Sequence, residues 1–359
     1  MRARRDFLGQ SKDDHGVVAV VEFLSAFTLF LMILTAFMSL AQLELGSNNP
    51  ETDLIDRSAV EGLERLTNGE GWFVPIIDET VRDYQNATSE WHNISPDVLY
   101  SGQLQPGIVS NGVLDMDKVS ALSNVSLDSM VKGLGLDSDL SLRLVIKVEE
   151  SDVESRAGKI LFEGGSDRNT SKISSYSSRS FTNQNEVISV SLEVHEGAST
   201  PSMLRITEIS PRPQNNGPEW IEVQNQNGFA LSLYGWSFER GGTTGSMSHL
   251  YTEGVVPGGD LVLFSGDPSS QDNGNATIVY DLGYNGFLGI GSVDGLSDSA
   301  GRLKLLFAEK GSSFGTEICH VEWDNSLQLG FNDTIIWNGG PPHLQSSWNL
   351  STNPSPGQV

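Results

Sequence analysis

The sequence predicts three architectures in succession: an N-terminal transmembrane α-helix, an α+β middle region and a C-terminal all-β sandwich. Three observations predict them. Residues 17–45 form one apolar run in which only Glu22 and Glu44 carry charge. Residues 46–200 mix helix-like stretches with strand-like runs. Residues 203–359 alternate strand-like runs of four to eight residues with recurring Gly, Pro and Asn turns, the pattern of packed antiparallel sheets.

A helix needs about 20 apolar residues to cross a bilayer core, and 17–45 exceeds that. A buried core helix of this length would be expected to carry a polar stripe, and this run has none. Arg2, Arg4, Arg5 and Lys12 precede the run, and only Arg57 follows it closely. The positive-inside bias therefore places 1–16 in the cytoplasm as a basic tail or leader, and 46–359 outside a cell membrane crossed once. A cleavable secretory signal is the rival reading, but its apolar core would span about 7–15 residues with a small-residue cut site soon after. Two local resemblances bear on export. ARRDFLG (3–9) resembles a twin-arginine signal, which implies export of a folded protein. HGVVAVVEF (15–23) resembles the leader junction of type IV pilins, with Gly16 before the cut, Val17 after it and Glu22 within the first helix. Here the glutamate falls at the sixth position rather than the fifth, and Asp13 and Asp14 stand where a basic residue is usual. A retained anchor and a processed leader both stay open.

In the middle region Asn48, Asn49 and Pro50 interrupt the helix, and 51–66 resumes it with Leu54, Ile55, Leu63 and Leu66 on an apolar face. One or two short helices are expected over 112–136. Strands are expected over 140–150, 159–164 and 186–197, with the Ser-rich 166–185 a loop or an edge. The order and the pieces LERLTNGEGW, LDMDKVSALSNVS and KGLGLDSDLSLRLVIKV resemble pilin-like exported proteins of archaea. That resemblance covers about half the chain and implies a membrane-held or filament-associated surface protein.

In GPEWIEVQNQNGFALSLYGWSF (217–238) Ile221 and Val223 alternate with Glu222 and Gln224. After an Asn/Gln/Gly break, Leu231 and Leu233 alternate with Ser232 and Tyr234. The period of two predicts two short half-buried strands joined by a turn. Ile221, Val223, Leu233, Val262, Phe264, Leu303 and Leu305 are the expected inward residues, each contributing roughly 1.5–3 kcal/mol on burial. Trp220 and Trp236 are expected to pack, and Gly235 to sit where a side chain would crowd the neighbouring sheet. LRITEISP, GPEWIEVQN, LSLYGWSF, VVPGGDLVLFSG, GRLKLLFAE, EICHVEWD and SSWNLSTNPSPGQV follow the order of a lamin-tail domain, and the resemblance spans nearly all of 203–359. It implies an immunoglobulin-like sandwich.

Charge and chemistry narrow the function. The chain has a formal net charge of −24. Residues 203–359 hold 6 Lys+Arg against 16 Asp+Glu, a net −10, so a nucleic-acid partner is not expected. A single cysteine, Cys319, excludes an intramolecular disulfide and a cysteine-based zinc cluster. GSSFG (311–315) fits G-x-S-x-G but lies between strand-like runs, so a hairpin loop is expected rather than a nucleophile elbow. Cys319 and His320 are neighbours and would face opposite sides of a strand. The histidines are scattered, and Asp115/Asp117, Asp137/Asp139 and the loop 267–275 match no calcium-loop spacing. Seven sequons, at Asn86, Asn93, Asn124, Asn169, Asn275, Asn332 and Asn349, all follow the apolar run, and some glycosylation is expected.

The expectation is a non-enzymatic, cofactor-free surface protein of structural or adhesive role. It would present a lamin-tail-like module to a glycan or protein partner. The alternatives are a pilin-like filament subunit that self-assembles through its first helix, and a surface hydrolase using the C-terminal module for attachment. The hydrolase would need an active site in 46–200, where only His92 and His195 are available.

Overall fold

The computed structural model describes residues 11–47, 50–77, 80–166, 173–197, 204–213, 217–241, 243–246, 254–284, 286–290, 295–308 and 315–358. Two compact units arise, 1–54 and 55–359.

The first unit is dominated by helix α1, Ser11–Ser47. Within it Val18–Ala41 is long and apolar enough to cross a membrane, and none of that segment is buried. Ser25, Thr28 and Thr35 turn their hydroxyls back to the carbonyls of Val21, Leu24 and Leu31, at 2.8, 2.7 and 2.9 Å. Such bonds hide polar groups inside the helix's own backbone, which suits an apolar medium.

Helix α2, Pro50–Thr67, carries Ile55, Ala59, Leu63 and Leu66 into the interior, an i, i+4, i+8, i+11 stripe. Leu54, expected on that face, is 49% exposed, and Ala59 takes the inward position. Small elements follow: β1 (Gly71–Val74), β2 (Ile76–Ile77), β3 (Val81–Arg82), α3 (Pro96–Ser101), β4 (Gln103–Pro106), β5 (Val109–Ser110) and β6 (Val113–Leu114). Helix α4 (Met116–Ala121) starts at an Asp115 cap whose carboxylate accepts from the amides of Asp117 and Lys118. Helix α5 (Leu127–Leu134) starts at a Ser126 cap and ends on left-handed Gly135, burying Leu127, Met130, Val131 and Leu134.

The middle region's antiparallel sheet has the order β8 (Ile160–Gly165), β7 (Leu140–Ser151), β10 (Glu186–Glu196), β9 (Ser174–Asn183). Leu142, Leu144, Ile146 and Val148 on β7, and Ile188, Val190, Leu192 and Val194 on β10, alternate into one core shared with α2 and α5. The Ser-rich stretch supplies β9, an edge strand, as a sheet with one solvated face allows.

The C-terminal strands form two facing sheets. One has the order β18 (Ile278–Asp281), β17 (Leu261–Ser265), β12 (Trp220–Asn225), β11 (Leu204–Ser210), β21 (Thr334–Trp337), β22 (Trp348–Ser351). The other has β15 (Thr243–Ser246), β14 (Trp236–Arg240), β19 (Gly301–Phe307), β20 (Thr316–Trp323). They share a core in which Phe238 meets Phe264 edge to face across the sandwich, ring centres 5.0 Å apart. Ile221, Val223, Leu233, Val262, Phe264, Leu303 and Leu305 are all fully buried, and Trp220 and Trp236 nearly so. Gly235 has φ +87, and a Cβ there would stand 2.4 Å from the Ala308 carbonyl oxygen.

Two readings of 217–238 need correction. The strands on either side of the Asn/Gln/Gly break do not pair: β12 lies between β11 and β17, and β13 (Leu231–Ser232) pairs with β16 (Val255–Val256). The break is a buried hub instead. Asn225 Nδ2 donates to the carbonyls of Phe229, Val256 and Pro257, and Asn227 bonds Gly165 of β8 through both amide atoms, at 3.0 and 3.3 Å. Phe229 then enters the middle region's core, 5.0 Å from the Phe162 ring. The second correction concerns Glu222, expected to face outward, which is 3% exposed.

Candidate functional site

Of the export residues, Glu22 lies exposed on α1. Gly16 and Val17 belong to the same helix. Residues 1–10 of the basic tail with ARRDFLG, Asn169 and residues 311–314 of GSSFG lie outside the described residues, while 11–16 already belong to α1. The strands flanking that last loop, β19 and β20, pair antiparallel.

A concavity lies in the middle region. Two cavities, of about 670 and 530 Å³, adjoin there and share Arg65 and Gln105 in their walls. The Gly69–Glu70–Gly71 turn after α2 lines the larger of the two. Gly71 has φ +67 and its Cα faces Gly107 so closely that a Cβ would sit 2.4 Å from the Gly107 amide nitrogen. Buried Lys118 pins the turn from below, its Nζ donating to the Glu70 carbonyl at 2.9 Å, and Trp91 Nε1 donates to the same oxygen at 3.0 Å. In the wall, Trp72 Nε1 donates to Gln105 Oε1 at 2.7 Å, fixing which face that amide offers. Arg65 Nη1 donates to the Leu134 carbonyl at the end of α5, at 2.9 Å.

The smaller cavity is cationic. Arg65 from α2, Arg82 from β3 and Lys132 from α5 line it, together with Tyr100, Gln103 and Ser129. Among the described residues none of these three cations lies within ion-pair distance of a carboxylate, although 46–200 holds 25 Asp+Glu against 12 Lys+Arg. The sequence reading missed this cleft because its residues lie on α2, β1, β3, β4 and α5. Their spacing carries no motif.

Among the described residues the sandwich holds three buried carboxylates. Glu208 and Glu222 are register partners on β11 and β12, and they grip the C-terminal segment. Ser355 donates to Glu208 Oε2 through its hydroxyl at 2.6 Å, and the Gly357 amide donates to Glu222 Oε2 at 2.8 Å. Glu219 Oε2 accepts from the amides of Gly289 and Leu296 at 2.8 and 2.6 Å. Burial pushes the Glu219 and Glu222 carboxyls up to about 7, the adjacent Glu208 adding to the rise at Glu222.

Cys319, His320 and His195 are each engaged within the fold. Cys319 is 2% exposed and burial pushes its thiol up to about 11, the opposite of an activated nucleophile. His320 bonds Glu317 at 2.7 Å. His195, 3% exposed, sits between the carbonyls of Ser166 and Glu196 at 3.1 and 3.2 Å. Among the described residues no group of three or more His, Cys, Asp or Glu is arranged to hold a metal. The loop 267–275 spends Asp267 on Ser269 and Asp272 on the Gly274 amide. Of the sequon asparagines, Asn86, Asn93, Asn275 and Asn349 are exposed, and Asn124 and Asn332 are partly so.

No protein-family model matches this chain, and no curated protein matches it.

Proposed function

We propose that this is a single-pass membrane-anchored cell-surface protein of structural or adhesive role, its N-terminus cytoplasmic and its acidic body outside. In this reading the middle region is pilin-like and the C-terminal sandwich is an immunoglobulin-like lamin-tail module. Together they present a binding surface to a glycan or protein partner. One observation carries the reading: Val18–Ala41 exposes an apolar surface on every side, with Glu22 near one end as its only charged residue. At 1.5 Å per residue its 24 residues span roughly 36 Å, enough for a hydrocarbon core of about 30 Å. The cluster of arginines before the helix favours this orientation.

The test is topology in intact cells. A membrane-impermeant amine reagent is expected to label the body's lysines and leave Lys12 unlabelled until the membrane is opened. Labelling of Lys12 alone in intact cells would sink the proposal. Mass spectrometry of the native chain adds an independent readout: glycan is expected on at least one of Asn86, Asn93, Asn275 and Asn349, and bare asparagines at all four would count against exposure to a glycosylating compartment.

A second reading is favoured by the same all-round exposure of α1, because packing against copies of itself would also cover the helix. The protein would then be a filament subunit. Electron microscopy of the native assembly separates the two, since only the filament requires helical polymers.

A further inference from the structure

The cationic cleft of the middle region is the feature the cell-surface reading leaves unused. Three cations converge there, none within ion-pair distance of a carboxylate among the described residues, on a body in which acidic residues outnumber basic ones by two to one. Such a surface repels a polyanion almost everywhere and admits it in one place, which is how a localised charge selects its ligand. The chemistry of the walls narrows the ligand further. Beside the cations stand two side-chain amides, Gln103 and Gln105, and two hydroxyls, Ser129 and Tyr100. Trp72 lines the adjoining cavity, its indole N–H already committed to Gln105 and its ring partly exposed.

We propose that this cleft binds an acidic saccharide, a sugar chain bearing carboxylate groups. Guanidinium and ammonium groups would meet the carboxylates. The amides and hydroxyls can hydrogen-bond ring hydroxyls, and the faces of Trp72 and Tyr100 offer apolar platforms for sugar C–H surfaces. The adjoining cavity carries Glu61, Glu64 and Glu70, so the carboxylates are met in the smaller, cationic cavity, and only neutral parts of a sugar chain can extend past Arg65 and Gln105. An acidic peptide is the competing ligand, but tight peptide recognition depends on buried side-chain anchors. In the cationic cavity only Ile76 and Leu104 are aliphatic, and Leu104 is 4% exposed. The walls therefore offer polar contacts and no anchor pocket. Arg65 is preorganised by its bond to the Leu134 carbonyl, while Arg82 and Lys132 are exposed and free to reach the ligand.

The proposal draws on the cell-surface reading only for where the sugar would be met. Its test is made on the purified full chain in detergent, so the two readings fail separately: a body found inside the cell leaves the binding result standing, and absence of binding leaves the topology untouched. An oligogalacturonate is titrated while tryptophan fluorescence is followed, with a neutral oligosaccharide of equal length and an oligoglutamate peptide as comparisons. Saturable galacturonate binding is expected, weakened by added salt and at least about tenfold weaker in Arg82→Gln/Lys132→Gln. Both substituted residues are exposed, so the thermal midpoint of that variant should match the parent and exclude misfolding. A charge-matched control, Lys147→Gln/Lys159→Gln, should change affinity less than twofold. No saturable binding, equal binding of the neutral sugar, equal weakening by the control, or tighter binding of the peptide would each overturn the proposal.

Discussion

At the scale of single residues, the buried carboxylates make the sharpest prediction. Glu219 and Glu222 have an ordinary value of 4.5 and stand near 7 in the fold. A carboxyl whose folded pKa is raised holds its proton more tightly in the folded chain than in the unfolded one. The stability it contributes is full below about 4.5 and is lost as pH rises through 7. Each such shift corresponds to roughly 3 kcal/mol at most. The thermal midpoint of the body should therefore rise on acidification from pH 8 to pH 5. Glu222→Gln keeps the shape and can still accept from the Gly357 amide, and it should flatten that dependence. A midpoint that falls steadily over the same interval would contradict the assignment. A second residue-scale prediction concerns Gly71. Its positive φ and the 2.4 Å approach to Gly107 leave no room for a methyl group, so Gly71→Ala should cost at least about 2 kcal/mol in chemical denaturation. It should also distort the wall of the larger cavity. An unchanged denaturation midpoint would show that the turn relaxes freely.

At the scale of elements, period and capping explain most of what forms. The alternation in 140–150 and 186–197 delivers strands β7 and β10 with every second residue inside. Ser126 and Gly135 bracket α5 as a cap and a stop. The outer face of β12 escaped the same logic. Its Glu222 alternates with buried Ile221 and Val223 and so reads as solvent-facing, yet the C-terminal Ser355–Gly357 segment folds over it. A segment more than 130 residues away in sequence cannot leave a mark on local periodicity. The Asn/Gln/Gly break was misread for a similar reason. Asn and Gly favour turns in short-range terms, and here Asn225 and Asn227 are spent on carbonyls of other segments.

At the scale of the whole molecule, Phe229 and Asn227 bind the sandwich to the middle region. Phe229 is fully buried in the other region's core, and Asn227 completes the backbone bonding of Gly165 at the end of β8. Further backbone bonds run from Ala230 to Val125 and from Gly258 to Ser123, at 2.9 and 2.7 Å. Residues 55–359 should accordingly melt in one cooperative transition in calorimetry. Phe229→Ala removes a ring from that core at a cost of about 3–5 kcal/mol, and it should split the melting into two transitions. Two transitions in the parent chain would show that the regions are energetically independent.

The sequence by itself determined the apolar helix, the strand-rich body and the inward residues of the sandwich, because each is written in local periodicity: an unbroken apolar run, or alternation by two. It also located the tight position at Gly235 from its neighbours. Tertiary structure alone decided three things: that Glu208 and Glu222 are buried under the chain's end, that Phe229 joins two cores, and that Arg65, Arg82 and Lys132 meet in one cleft. Each depends on residues brought together from distant parts of the chain. Their positions are set by packing free energy summed over the whole body, which no local window of sequence contains.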